Sequence, residues 1–330
     1  MSRKESRQLS RAERRQRETA LRENPKGSSR ASQGSARQQR YRAQRYSPLW
    51  LIGGLLVCVV VIVGVFIYLA DHQPIAGVIG PTDPEVLSKV THVEQNVISQ
   101  VNTGGVQNVL LKTGVSREMT GQSAKPELFY YGAEFCPYCG AQRWPLVIAL
   151  SRFGTFSKLP LSLSSDQDVD PNTPTFTFVG SQYTSPYIDF VPVEAQDRHH
   201  KTLQVPASQE QAILKQYNVN GFPFLNIANQ YVASAPFYDP ALLQGLSQKD
   251  IASRLSNPND SLTKNIVGGA NYLTAAICSV THDQPANVCT QPPIPPIEQS
   301  VLHSQQAPVG TPGGPVALSS GRRPEDDLPA

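Results

Sequence analysis

The sequence lacks the short motifs that mark several large enzyme classes. It has no glycine-rich phosphate-binding loop, no His–Glu zinc helix and no recognisable Ser/His/Asp set. It also shows no internal repeat. Cysteine is scarce, with 5 residues in a chain of 330. The chemistry of this protein must therefore be sought in a few cysteines and in the distribution of charge.

Charge is absent from one long apolar segment, Leu49–Ala70. A helix of that length spans roughly 33 Å, about one bilayer core. Trp50 and Tyr68 stand near its ends, where aromatic rings favour the lipid–water interface. A cleaved signal peptide has a shorter apolar region, and Tyr68 occupies the position where cleavage after Ala70 needs a small residue. We expect residues 48–70 to form an uncleaved transmembrane anchor.

The segments on either side of the apolar run differ strongly in charge. Residues 1–46 hold 14 Lys or Arg and four Glu, whereas the rest of the chain holds 15 basic and 22 acidic residues. Residues 71–85 contain no Lys or Arg. Because basic flanks stay in the cytoplasm, we expect a cell-membrane protein with residues 1–47 as a disordered cytoplasmic tail and the C-terminal part extracytoplasmic.

The basic tail has two interpretations, a nucleic-acid-binding arm or a topology signal that also holds anionic lipid. It adjoins the apolar run and carries few aromatics, Tyr41 and Tyr46. These features favour the topology signal and contact with anionic headgroups, and we expect no nucleic-acid partner.

Composition divides the extracytoplasmic part into three. Residues 71–85 are rich in Pro and Gly and are predicted to be a stalk, and residues 86–290 a folded domain. Nine of the last 40 residues are Pro, so residues 291–330 are predicted to be a disordered tail. Valines spaced from Val86 to Val97 fit either a helix face or a bent strand.

Apolar periodicity predicts an α/β domain with a β-rich insertion. The expected elements are a strand over Leu128–Tyr131, a helix over Ala141–Phe153, extended chain over 155–205, a helix over Ser208–Tyr217 with Ser208 as its N-cap, strands over Phe222–Ile227 and Tyr231–Ala235, and helices over Leu242–Leu255 and Asn265–Cys278.

Cys136 and Cys139 form a C-x-x-C pair between the first strand and the first helix. At a helix N-terminus, free N–H groups and the helix dipole stabilise a thiolate. Cys136 is therefore expected to attack a disulfide as the nucleophile, and Cys139, one turn further, to resolve the mixed disulfide. Paired cysteines also bind zinc, so the motif alone leaves that alternative open.

Two segments resemble the thioredoxin superfamily. Ala133–Cys139 (AEFCPYC) resembles its active-site segment, and Gly221–Pro223 (GFP) resembles its cis-proline loop. The resemblance implies a thioredoxin-like fold in which Phe222 and Pro223 face the cysteines and bind a substrate strand. The alternative for Pro223 is an ordinary strand-edge proline. Two residues depart from thioredoxin: Tyr130 stands where it has a buried carboxylate, and Gly140 follows the cysteines without a basic side chain.

A closer resemblance is to the domain-of-unknown-function 929 family, over roughly residues 80–290. The matching strings are Gly132–Cys139, Arg143-Trp144, Ala149–Phe156, Thr175–Phe178 and Tyr183–Tyr187. This resemblance implies a thioredoxin-like fold and no established activity.

Cys278 and Cys289 enclose ten residues and have three interpretations. Outside the cytoplasm two such thiols usually form a structural disulfide, which is the expectation here. A relay that exchanges electrons with Cys136 and Cys139 is the second, and a four-cysteine zinc site the third.

Other candidate residues receive simpler interpretations. Cys58 is expected to face lipid or to pack in a helix, and the His199-His200 pair to be a solvated loop. Arg143 and Trp144 are expected to shape the cysteine site, and for Trp144 a place in the core is the alternative. Glu134 is expected to face water.

Together these features predict a membrane-anchored thiol–disulfide oxidoreductase without cofactor or resident metal. Its expected partners are the cysteines of secreted or membrane proteins, together with a membrane redox partner. The alternatives are a non-catalytic thioredoxin-like scaffold in which Cys136–Cys139 is a static bridge, and a metal-handling protein.

Overall fold

The computed structural model describes residues 57–65 and 78–307. The predicted cytoplasmic tail, most of the predicted anchor, the first part of the stalk and the end of the chain lie outside these residues. The chain divides into two compact units, Met1–Asp71 and His72–Ala330. In the first unit, residues 57–65 are helical with exposed side chains, Cys58 among them. Within the described part of the chain, no helix has the length and apolarity needed to cross a bilayer.

The second unit is a mixed α/β domain. Its strands are β1 Val78–Gly80, β2 Leu111–Lys112, β3 Glu127–Gly132, β4 Thr155–Lys158, β5 Leu161–Leu163, β6 Pro174–Phe176, β7 Gln182–Thr184, β8 Asp189–Glu194, β9 Phe224–Ile227 and β10 Tyr231–Ala233. Its helices are α1 Pro84–Thr91, α2 Gln95–Val101, α3 Pro137–Ser151, α4 Ser208–Gln216, α5 Gln248–Arg254, α6 Ser261–Val280, α7 Ala286–Cys289 and α8 Ile294–Leu302.

The central sheet has five strands in the order β2-β10-β9-β3-β8. β3 pairs with β8 in parallel, whereas the β3–β9, β9–β10 and β10–β2 pairs are antiparallel. Two further antiparallel sheets, β1-β5-β6 and β4-β7, are built largely from the region between α3 and β8. The predicted extended segment 155–205 therefore does contain a cluster of short strands.

The helix α3 is buried along almost its whole length, because it packs against helix α6 and strand β6. Side chains such as Trp144, Leu146 and Leu150 have no exposed surface. Trp144 is a core residue: its Nε1 donates to the Pro174 carbonyl oxygen at 2.9 Å, and its ring packs on Phe176. This packing holds the N-terminus of α3, and the residues at it, in a fixed position.

Several predicted elements are confirmed. β3 contains Leu128–Tyr131, and α3 covers most of the helix expected over Ala141–Phe153. β9 and β10 form the expected hairpin, and α6 contains the helix expected over Asn265–Cys278. The strands and the long helices were predictable because each has its own apolar periodicity.

Of the valines after the stalk, Val86 and Val90 belong to α1 and Val97 to α2, whereas Val93 lies in the connection between them. Asp83 caps α1 by accepting the backbone N–H groups of Glu85 and Val86, and Val86 and Val90 point into the core. The predicted stalk 71–85 is wrong at its end, because β1 pairs with β5 and α1 begins at Pro84. Pairing and capping, which the composition does not reveal, order this segment.

The predicted disordered tail 291–330 is wrong in its first part. Residues Ile294–Leu302 form α8, and Ile294, Ile297 and Val301 are buried in the main core. Its prolines lie in the first turn of the helix, where the missing N–H groups have no helical partner to lose. The proline count therefore did not exclude a helix here.

Two smaller predictions are also wrong. The N-cap of α4 is Ala207 and not Ser208, since Ala207 holds the extended backbone before the first turn and no side chain caps it. The single helix expected over Leu242–Leu255 is split into a 3-10 turn and α5. Gly245 has φ +73° between them, a conformation that ends the first segment.

Candidate functional site

Cys136 and Cys139 lie where β3 passes into α3. Cys136 is the N-cap of α3, Pro137 is its first residue, and both thiols are free. Proline suits this position, because its fixed φ matches a helical turn and it has no N–H to leave unpaired. The Cys136 Sγ accepts the backbone N–H of Cys139 at 3.3 Å. The first sulfur thus takes the capping role that a hydroxyl or carboxylate usually fills.

The two thiols differ in their environments. Cys136 is 5% exposed, whereas Cys139 has no exposed surface. The hydrogen bond from the Cys139 thiol lowers the pKa of Cys136 against the opposing effect of burial, and the Cys139 backbone N–H and the Arg143 cation lower it further. Burial, followed by the hydrogen bond to Cys136, raises the pKa of Cys139 well above its usual range. Cys136 is therefore the more acidic thiol of the pair and Cys139 the less acidic one.

A buried salt bridge lies one helical turn beyond Cys139. Arg143 donates from Nε to Glu194 Oε1 at 3.0 Å and from Nη2 to Oε2 at 2.7 Å, a bidentate pair with neither side chain exposed. Nη2 also donates to the Ala133 carbonyl oxygen at 2.9 Å. Glu194 ends β8 and is in register with Gly132, the end of β3. Arg143 therefore holds the backbone just before the cysteines against the end of β8, in keeping with the expectation that it shapes the site.

Tyr130, which lies in β3 before the cysteine pair, has no exposed surface. The centroid of the Tyr130 ring lies 5.8 Å from Arg143 Cζ. The Tyr130 hydroxyl has no hydrogen-bond partner among the described residues. Burial raises the pKa of Tyr130 well above its usual range. This residue is neutral at physiological pH and is not a proton acceptor for either thiol.

Glu134, two residues before Cys136, is buried, and the prediction that it faces water is wrong. Its Oε1 accepts the Thr177 hydroxyl at 2.6 Å, its Oε2 is buried without a partner in the described structure, and its backbone N–H donates to Gln196. Burial raises the pKa of Glu134 to about 7, and the Thr177 hydrogen bond opposes that rise. Its position inside an apolar segment after a buried strand was a signal of burial.

Aromatic rings border the cysteine pair. Phe135 and Phe222 pack against the cluster formed by Ala133, Cys136 and Cys139, and their own ring centroids lie 5.9 Å apart. The Phe222-Pro223 peptide is cis, and Pro223 is buried. The structure thus brings Phe222 and the cysteines together, as the sequence resemblance implied.

A histidine also lies beside this border. The ring of His200, predicted to be simply solvated, is exposed but stacks on Phe135 with centroids 4.0 Å apart. Its neighbour His199 is exposed as well. Periodicity gives no sign of this contact, because the chain returns to Phe135 through the loop after β8.

Cys278 and Cys289 form a disulfide that joins α6 to α7. Both residues are buried in the main core cluster, whereas Cys136 and Cys139 belong to a separate cluster. The bond is therefore built into the packing of the C-terminal helices. Within the described residues, no group of three or more His, Cys, Asp or Glu side chains is arranged to hold a metal ion.

Comparison with protein families gives one result. The model described as Domain of unknown function (DUF929) matches residues 112–279, slightly more than half of the chain. The chain belongs to the DUF929 family. No curated protein and no solved structure matches this DUF929 chain.

The family match covers the whole candidate site. It extends from β2 to the last turn of α6 and includes both free cysteines of the C-x-x-C pair, the Arg143–Glu194 salt bridge and the cis proline. Of the disulfide, it includes Cys278 but ends before Cys289. The family description assigns no activity, so the function of this DUF929 protein has to be argued from the site.

Proposed function

We propose that this DUF929 protein is a membrane-anchored thiol–disulfide oxidoreductase that acts outside the cytoplasm on the cysteines of secreted or membrane proteins. The observation that carries the proposal is the asymmetry of its cysteine pair. The Cys136 sulfur caps α3 and accepts the N–H of Cys139, whose own thiol is fully buried. Such an arrangement gives one nucleophilic sulfur and one resolving sulfur.

The order of elements supports a thioredoxin-like fold for the domain. β3, α3 and β8 form a parallel strand–helix–strand unit, and α4 leads into the antiparallel hairpin β9–β10, which α6 follows. The cysteine pair begins the helix that follows β3. The cis proline immediately precedes β9, the strand beside β3. These are the positions that the sequence resemblance to thioredoxin implies.

The proposed reaction needs two successive exchanges. The Cys136 thiolate attacks one sulfur of a partner disulfide, forming a mixed disulfide while the second partner sulfur leaves and takes up a proton. Cys139 then loses its proton and attacks the Cys136 sulfur, forming the Cys136–Cys139 bond and releasing the first partner thiol. The partner gains two electrons and the pair loses two. In reverse, the oxidised pair transfers its disulfide to a partner dithiol, and a membrane dithiol–disulfide protein resets it.

The loop that begins β9 is the proposed docking edge for the substrate. Phe222 is partly exposed beside the cysteine cluster, and its ring lies 5.0 Å from that of Tyr131 and 5.9 Å from that of Phe135, centroid to centroid. An extended substrate segment laid along this loop places its cysteine next to Cys136. We expect F222A to weaken partner capture, because an aromatic contact contributes about 1 kcal/mol beyond its buried area.

The cellular location is part of the proposal. It is supported by the uncharged run Leu49–Ala70 and by the basic residues that precede it. Under this topology the tail of residues 1–47 contacts anionic lipid headgroups on the cytoplasmic side, and the cysteine pair lies in an oxidising compartment.

The depth of the cysteines favours a second candidate, a non-catalytic scaffold. Cys136 is 5% exposed and Cys139 is not exposed at all, so a partner sulfur has a narrow approach. In this alternative the Cys136–Cys139 pair is a static bridge that stabilises a binding module.

The test is to trap partners in the native membrane. Full-length C139S leaves Cys136 free to attack but removes the sulfur that resolves the mixed disulfide. We expect C139S to accumulate Cys136-linked partners on non-reducing gels, and C136S and the double variant C136S/C139S to show none. The second test measures turnover. We expect the purified full-length chain to catalyse the reduction of insulin when a dithiol is supplied. Absence of both signals contradicts the oxidoreductase and favours the scaffold.

A further inference from the structure

Arg152 lies immediately after α3, at the far end of that helix from the cysteines. Its side chain reaches α6, where Nη1 donates to Asn271 Oδ1 at 2.9 Å and to Thr274 Oγ1 at 2.7 Å. Asn271 is itself held by donating to the carbonyl oxygens of Ile98 and Asn102. The guanidinium is therefore fixed in place, and both of its acceptors are neutral.

No carboxylate compensates this cation. Among the described residues, no Asp or Glu oxygen lies within ion-pair distance of Arg152. Its Nε and Nη2 are buried and have no hydrogen-bond partner there. Burial lowers the pKa of Arg152 to about 9, so it is still a cation at neutral pH. The end of α3 offers a favourable dipole but no partner for these two atoms.

Arg143, which lies within α3, shows what kind of group the Nε and Nη2 edge of a guanidinium binds. Its Nε and Nη2 donate to the two carboxylate oxygens of Glu194 in a bidentate pair. In Arg152 the same two nitrogens have no protein acceptor in the described structure. This planar edge matches two oxygens on one centre, as in a carboxylate or a phosphate.

Arg152 lines a pocket of about 300 Å³ between the α1–α2 connection, the end of α3 and helices α7 and α8. Four other polar side chains, those of Thr91, His92, Gln95 and Asn287, line it with Arg152, and the remaining lining is apolar. No acidic residue lines this pocket. Its volume lies at the small end of the range for ligand pockets.

We propose that the Arg152 pocket binds a phosphate group, carried by a small metabolite or by a lipid headgroup. Arg152 donates to two phosphate oxygens through Nε and Nη2, and the Asn287 side-chain amide, which also lines the pocket, supplies a donor for a third oxygen, which a carboxylate does not have. This site is independent of the proposed redox function, since it lies at the other end of α3.

The primary test is phosphate binding to the full-length chain in detergent, measured by equilibrium dialysis against radiolabelled inorganic phosphate. The basic tail also attracts phosphate, so the informative quantity is the difference between variants. We expect R152M to lower the affinity of the saturable site about tenfold or more, the loss expected for a charge-assisted bidentate contact. The control R254M removes a partly exposed arginine that is paired with Asp260, and it should bind like wild type.

A second measurement follows the Arg152 guanidinium itself. In the ¹⁵N-arginine-labelled full-length chain, the Nε–Hε resonance of Arg152 should shift on titration with inorganic phosphate, while that of Arg254 should not. The variant R152K, which keeps the charge but loses the planar fork, assigns the resonance because the Arg152 signal is missing from its spectrum. R152K also replaces R152M in the binding assay if R152M does not fold. We expect R152K to bind phosphate as weakly as R152M.

The source of the phosphate is distinguished by competition. Displacement of inorganic phosphate by glycerol 3-phosphate indicates a small ligand, and displacement by short-chain phosphatidylglycerol alone indicates a lipid headgroup. Equal binding by wild type and R152M, with an unmoved Arg152 resonance, overturns the proposal. So does a resonance that moves with acetate but not with phosphate.

Discussion

Arg143 and Glu194 form a salt bridge with no exposed surface on either side chain, at 2.7 Å between Nη2 and Oε2. It joins the helix that carries the cysteines to the strand that runs parallel to β3. The cation lies one turn beyond Cys139 and helps to lower the pKa of Cys136, whereas for Cys139 it only opposes the larger rise caused by burial; Glu194 balances its charge. The same pair thus holds the packing together and sets the electrostatics at the cysteines.

The two roles of this pair can be separated by substitution. R143M leaves Glu194 buried without a partner, so we expect the free energy of unfolding to fall by about 3–5 kcal/mol. R143M/E194L removes both charges and should recover most of that loss. In both variants the pKa of Cys136 should rise, because the cation is gone. Denaturant unfolding and the pH dependence of Cys136 alkylation measure the two effects; a Cys136 pKa that recovers along with stability contradicts the electrostatic role.

The cysteines themselves should react in a fixed order. The lowered pKa of Cys136 makes it a thiolate at a pH where Cys139, with its raised pKa, is still a thiol. In the reduced full-length chain we expect iodoacetamide to modify Cys136 at least about tenfold faster than Cys139 at neutral pH. Pulsed alkylation between about pH 5 and pH 9, read by peptide mass spectrometry, measures both rates. Equal rates would show that the predicted asymmetry is absent.

Glu134 should make stability depend on pH. Its pKa is about 7 in the folded chain and near 4.5 when exposed, so the folded state binds more protons between those values. The free energy of unfolding therefore falls as pH rises from about 4.5 to 7, by up to about 3 kcal/mol for this residue. E134Q should remove that part of the fall in urea unfolding curves. The exposed Glu94 gives the control E94Q, which should leave the pH profile unchanged.

The disulfide should matter for stability and not for exchange. We expect C278A/C289A to lower the free energy of unfolding by about 2–3 kcal/mol, because an 11-residue loop is no longer closed in the unfolded chain. Cys136 alkylation and insulin reduction should stay at wild-type levels once the variant is folded. If insulin reduction stops while Cys136 still alkylates normally, the pair is a relay and the structural assignment is wrong.

Local sequence determined the segments whose signal is contained in a few neighbouring residues. The strand before Cys136, the helix after it and the β9–β10 hairpin were predictable because their apolar spacing is regular. The sequence also placed Cys136 at a helix N-terminus, but it predicted that helix from Ala141, whereas α3 begins at Pro137. The two errors at the domain ends, in the stalk and the proline-rich tail, arose from judging order by composition alone.

The sequence by itself determined that a C-x-x-C pair stands at the start of a helix and that a long uncharged run precedes the domain, because these depend on residues adjacent in the chain. Tertiary structure decided what surrounds that pair. Glu194 reaches Arg143 from 51 positions away, and His200 stacks on Phe135 through a returning loop. It also decided that Glu134 is buried and that no carboxylate among the described residues pairs with Arg152. Burial and charge pairing depend on distant segments meeting in space, which spacing along the chain does not encode.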